Sequence, residues 1–141
     1  MKYKSNITSQ YTDKSPLDNT FDLNQEENSI FQDLVVNAIP KCDVVIFEDY
    51  NKGVLTELVI QKAIDLCRHH GIVTTVDPKR KNFFSYKGVD VFKPNLKEVK
   101  DGLNLLTDDV SEEALKQIHF QLKEQLQHHT SFITLSEKGV Y

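Results

Sequence analysis

Apolar residues along this chain change period several times, and each change marks an element. Ile30, Phe31, Leu34, Val35 and Ala38 recur at helical spacing from Gln25 up to Pro40. Residues 43–47 (Asp-Val-Val-Ile-Phe) are a short, almost continuous apolar run with β-branched members. That pattern predicts a strand buried on both faces, as in a parallel sheet. A polar loop runs from Glu48 to Gly53. The next helix places Leu55, Val59, Ala63, Leu66 and Cys67 on one face and ends at Gly71. Residues 72–76 form a second strand, ended by Asp77-Pro78, and a basic loop leads to a third at 89–92. Asn95 opens a helix reaching about Leu105. Ser111-Glu112-Glu113 starts a final helix with Leu115, Ile118, Leu122 and Leu126 inward, its acidic first turn suited to the helix dipole. The last strand is expected over residues 132–135.

Strand and helix alternate with short connections, which predicts a mainly parallel sheet covered by helices, a three-layer α-β-α arrangement. Residues 1–24 show no sustained period. They are rich in Ser, Thr, Asn, Asp and Lys and read as a polar arm or a strand pair without partners. The 141 residues amount to one domain at most. A net charge of −4 argues against a nucleic-acid partner. No apolar run approaches ~18 residues, so no membrane span is expected. The polar start is not a secretory signal, and two cysteines without metal spacing make a reducing cytoplasm the simplest setting.

Ligands of open α/β sheets bind at the carboxyl ends of the strands. Three loops leave strand ends here: Glu48-Asp49-Tyr50-Asn51-Lys52-Gly53, Asp77-Pro78-Lys79-Arg80-Lys81 and Lys93-Pro94-Asn95-Leu96-Lys97-Glu98. They bring six cations to the same edge as Asp49, Asp77 and Glu98, the mixture that a polyphosphate with its Mg²⁺ requires. Each piece also has a plainer account. Asn95-x-x-Glu98 is a helix capping box, residues 79–81 can be a solvated turn, and Asp77 can simply end a strand. The pairs His69-His70 and His128-His129 sit at helix C-termini, where the dipole accounts for them. Ser136 has no His/Asp partner or nucleophile-elbow context. Gly53, Gly71, Gly88, Gly102 and Gly139 are all isolated, so no Gly-rich turn cradles a phosphate.

The order of these segments resembles the ribokinase-like (PfkB) carbohydrate kinases from about Thr20 to Tyr141. Within that family the heptose-7-phosphate kinase branch is the nearest, on Asp49-Tyr50-Asn51-Lys52-Gly53-Val54-Leu55 and Val76-Asp77-Pro78-Lys79. Lys93-Pro94-Asn95-Leu96-Lys97-Glu98 and Ile133-Thr134-Leu135-Ser136-Glu137-Lys138-Gly139 complete the match. The resemblance implies ATP and Mg²⁺ as cofactors and a sugar phosphate as partner. It assigns Asn95, Lys97 and Glu98 to the ATP and Mg²⁺–phosphate network, with Glu98 acting on the metal indirectly. Asp49, Lys52, Gly53, Asp77 and Lys79 become phosphate or substrate contacts, and Thr134, Ser136 and Gly139 border the nucleotide. Family members are roughly twice this length. The Gly-Ala-Gly-Asp turn that carries the anion hole and catalytic base is absent, so the base is expected beyond Tyr141. Residues 1–24 then read as a lid remnant and 25–141 as a partial kinase domain, inactive alone and prone to homodimerise or self-associate. A PfkB kinase for another sugar, or a non-catalytic interaction module, are the alternatives.

Overall fold

The computed structural model describes residues 23–107 and 109–141. The expected arm over residues 1–24 therefore lies almost wholly outside the described residues. Among the described residues, four α-helices, α1 (Gln25–Ala38), α2 (Glu57–His70), α3 (Leu96–Leu103) and α4 (Glu112–Leu126), accompany four strands. The strands are β1 (Val44–Glu48), β2 (Val73–Asp77), β3 (Val91–Phe92) and β4 (Thr130–Ser131). They form one all-parallel sheet in the order β1-β2-β3-β4. Helix α2 makes the β1-to-β2 crossover, and α3 and α4 make the β3-to-β4 crossover.

Register aligns Phe47, Val76 and Phe92 across three strands on one face of the sheet. All three are buried in one cluster with Ile60, Ile64 and Cys67 from α2 and Leu115, Ile118, Leu122 and Leu126 from α4. Phe83 stands edge-on to Phe92 at 5.1 Å and closes the cluster between β3 and α3. The opposite face differs from the expectation for residues 43–47. Side chains alternate along a strand, so Val44 and Ile46 share a face with Val73. They are 46%, 59% and 51% exposed. The run is apolar on both sides, but among the described residues a helical layer covers only one.

Local signals set the helix ends. Gly71 caps α2 in the left-handed region (φ 68°, ψ 26°), where an L side chain would be strained. Ser111 caps α4 by accepting the Ala114 N–H. The last strand starts earlier than the apolar pattern indicates. Thr130 N–H donates to the Asp90 carbonyl and Phe132 N–H to that of Phe92, and the ladder continues with Thr134 N–H to the Pro94 carbonyl.

His128 departs from the dipole explanation. It is fully buried, with Nε2 2.6 Å from Ser131 Oγ and its ring tilted over Phe92. Burial, reinforced by the neighbouring His119, Lys123 and His129, pulls its pKa down to about 4. A neutral buried imidazole gains little from a helix dipole.

Candidate active site

Parallel pairing puts the carboxyl ends of β1, β2 and β3 on one edge, and all three polar loops leave from that edge. Asp77 is the last residue of β2 and Lys79 follows it around Pro78. Lys79 Nζ reaches Glu98 Oε1 at 2.6 Å and Asp77 Oδ1 at 3.6 Å. Lys93, just past β3, places Nζ 3.4 Å from Asp77 Oδ2. A continuous string of alternating charge, Lys93–Asp77–Lys79–Glu98, thus joins the ends of β2 and β3 to the start of α3. Burial alone would lower the Lys79 pKa. The hydrogen bond and charge of Glu98, then those of Asp77, outweigh it and raise the pKa above the usual lysine value.

Asn95 is the N-cap of α3. Its side chain accepts the Glu98 N–H at 2.8 Å, and Glu98 Oε2 accepts the Asn95 N–H at 2.9 Å. The capping box is therefore formed, and the same Glu98 carboxylate holds Lys79 with its other oxygen. Thr134 lies directly alongside: it bridges to Asn95 in parallel and accepts the Leu96 N–H at 3.0 Å. Three donors at the start of α3 are consequently engaged within the protein. With those three donors used, what this helix end offers an anion is chiefly its dipole and the lysine side chains.

The other candidate residues divide. Lys97 is exposed on the first turn of α3. Ser136 (φ 55°) opens a 3₁₀ turn, Ser136–Lys138, and Gly139 (φ 93°) ends it, returning the chain so that Val140 pairs antiparallel with Thr134. Lys52 is exposed, whereas Gly53 is buried and its carbonyl accepts the Leu23 N–H. Asp49 turns inward and is only 3% exposed. Its oxygens accept the Asn51 N–H at 2.7 Å, the Tyr86 hydroxyl at 2.8 Å and Asn82 Nδ2 at 3.1 Å. Asn82 and Tyr86 carried no sequence signal, since they lie more than thirty residues from Asp49 and match no local spacing.

The donor set bears on Mg²⁺. Among the described residues, no group of three or more His, Cys, Asp or Glu side chains could hold a metal ion. Glu98 has both oxygens engaged and Asp77 faces two lysines. These carboxylates fit an outer-shell role toward a hydrated Mg²⁺ carried by phosphate oxygens, and not direct ligation. No described helix is long and apolar enough to cross a membrane.

Comparison with known proteins bears on the family and the fold. No family model matches the chain. The chain is 34% identical over 119 residues to the bifunctional protein HldE of Aliarcobacter butzleri, covering 84% of this chain and 25% of that protein. It is 38% identical over 115 residues to HldE of Granulibacter bethesdensis, covering 81% and 23%. Among solved structures, ribokinase from Giardia lamblia superposes with a TM-score of 0.65 at 14% identity, covering 87% of this chain and 37% of that one. The chain thus spans about a quarter of the length of the curated relatives it matches. It belongs with the bifunctional protein HldE, of which it matches one segment, and it takes the ribokinase-like fold.

Proposed function

We propose that this chain is the nucleotide-side segment of an ATP-dependent sugar kinase whose acceptor is heptose 7-phosphate. The product would be heptose 1,7-bisphosphate, used for ADP-heptose and the lipopolysaccharide core. The observation that carries the reading is the Lys93–Asp77–Lys79–Glu98 string at the capped start of α3. Kinship with HldE supports the choice of sugar.

When bound, ATP supplies the phosphoryl group and Mg²⁺ neutralises charge on its oxygens. The chain's own residues position and stabilise. Lys79 is held upright between Glu98 and Asp77, so its ammonium is ordered before a phosphate arrives. Lys93 and Lys97 add cations on either side of the Asn95 cap. Glu98 is oriented by the Asn95 N–H and can accept from metal-bound water. Thr134, with Ser136 and Gly139 on the adjoining return, borders the nucleotide side. In this reading the acceptor proton goes to a base outside these 141 residues, because no Gly-Ala-Gly-Asp turn occurs in them.

Calorimetric titration of the chain with Mg²⁺ and a non-hydrolysable ATP analogue tests this. Binding is expected, with a loss of roughly tenfold or more in Asn95→Ala and in Glu98→Ala, as for removal of a charged hydrogen-bond partner. No turnover of heptose 7-phosphate is expected from the chain alone. A parent chain that binds no nucleotide would sink the reading and favour a non-catalytic interaction module.

A further inference from the structure

Asp49 stands where two loops of the proposed site meet. Its three donors, the Asn51 N–H, the Tyr86 hydroxyl and the Asn82 amide, are all neutral. Burying a carboxylate on neutral donors is costly unless its hydrogen bonds are complete, and an apolar or amide side chain would fill a merely packed corner more cheaply. The carboxylate therefore calls for a role beyond filling space.

Its geometry supplies one. Asn82 Nδ2 donates one hydrogen to Asp49 Oδ2 and the other to the Leu55 carbonyl at 2.8 Å. One amide thus grips both ends of the loop formed by residues 49–55. Inside that loop Asn51 (φ 56°) and Gly53 (φ 82°) both adopt left-handed backbone, a shape that needs outside support at the non-glycine position. Asn82 ends the 3₁₀ turn Arg80–Asn82, whose N-cap is Lys79. Tyr86 is fully buried four residues on, with its ring 5.6 Å from Phe47 of β1. Asp49 N–H also reaches the Asp77 carbonyl at 3.4 Å, continuing the β1–β2 ladder to the strand ends.

We propose that Asp49 is a positioning residue, not a phosphate contact: through Asn82 and Tyr86 it registers the loop bearing Lys52 and Gly53 against the segment that delivers Lys79 to Glu98. Its effect on binding rests on the nucleotide-site reading above; its effect on the two loops does not.

Two measurements on the full chain keep these apart. In the absence of ligand, Asp49→Asn and Tyr86→Phe should each displace backbone amide NMR signals not only over residues 51–55 but also at Lys79 and Glu98. Displacements that stop at the neighbours of the substituted side chain, leaving Lys79 and Glu98 unmoved, would overturn the proposal. Tyr86→Phe removes one hydroxyl and keeps the buried ring, so it answers the question even if Asp49→Asn fails to fold. With Mg²⁺ and the ATP analogue present, Asp49→Asn should weaken binding about tenfold, and about twofold or less when Lys79 is already alanine. An undiminished loss in the Lys79→Ala background would mean that Asp49 acts independently of Lys79, against the proposal. Absence of nucleotide binding by the parent refutes the nucleotide site, and the ligand-free spectra then decide the positioning role.

Discussion

Replacing Glu98 tests the site and the fold together, because one carboxylate serves both the helix cap and the lysine. Glu98→Gln keeps an oxygen for the Asn95 N–H but removes the charge facing Lys79. Glu98→Ala removes both. A hydrogen bond to a charged group contributes about 1.5–3 kcal/mol when well buried. Here the Lys79 side chain is 37% exposed and that of Glu98 14%, so solvent screening applies. Lys79 also retains Asp77 at 3.6 Å. A loss of about 1 kcal/mol is therefore expected for Glu98→Gln. Glu98→Ala adds the lost hydrogen bond to the Asn95 N–H, for about 2 kcal/mol in all. In a chain of this size that corresponds to Tm decreases of roughly 3–4 °C and 7 °C. Differential scanning calorimetry at neutral pH measures both. Lys79 has a folded pKa above its unfolded value, so its share is fully present below the unfolded value near 10.5 and is lost as pH rises through the folded pKa. The gap between parent and Glu98→Gln should thus be flat from neutral pH to about 10 and close above it. Equal Tm values for parent and Glu98→Gln at neutral pH would show that the Lys79–Glu98 pair contributes nothing, and the argument would fail.

Two further outcomes are expected. The folded pKa of His128 lies below its unfolded value, so stability should fall as pH drops from about 6.5 to about 4 and level off below, by at most roughly 3 kcal/mol. The groups facing its ring are His119 and Lys123 of α4, His129, Ser131 and Phe92. An imidazole proton signal for His128 that titrated above pH 6 would contradict that burial. Gly102→Ala should destabilise α3 despite alanine's higher helix propensity, because a Cβ there lies 2.7 Å from the buried Phe83 ring. Overpacking of about 1–3 kcal/mol should outweigh a propensity gain of about 1 kcal/mol, as read from the urea midpoint.

How much was legible in the sequence depended on whether a feature was local. The Asn95-x-x-Glu98 box, the Gly71 cap and the three loops at one sheet edge follow from short-range spacing and parallel order, and all are present. The Lys79–Glu98 contact was legible only as a shared edge, since its partners are nineteen residues apart. Asp49 was expected to face a ligand because it sits in the first polar loop. Nothing in its own neighbourhood announced that Asn82 and Tyr86 would draw it inward. The apolar run at 43–47 recorded which faces of β1 are fit to be covered, and pattern alone cannot tell whether a layer of this chain covers them. His128 looked like its solvated neighbour His129 because two adjacent residues after a helix point to different surroundings, one under Phe92 and one beside Asp90.

The charge string at the sheet edge also constrains what the proposed site would favour. Lys93, Asp77, Lys79 and Glu98 sum to zero, so the edge carries no net self-repulsion. A bare phosphate gains Lys79 only by competing with Glu98, and the Asn95, Leu96 and Glu98 N–H groups at the start of α3 are already committed to Glu98, Thr134 and Asn95. A phosphate that arrives with a hydrated divalent cation meets a different balance. The lysines can turn to its oxygens while Glu98 and Asp77 accept from the water around the cation, so neither carboxylate is left facing a bare anion. On this reasoning the edge discriminates for a metal–polyphosphate complex over a free anion, and it does so because its lysines are held by carboxylates. Titration with the ATP analogue in excess EDTA should then show much weaker binding than with Mg²⁺. Equal affinity with and without the metal would mean that the carboxylates only order the lysines and take no part in recognising the nucleotide.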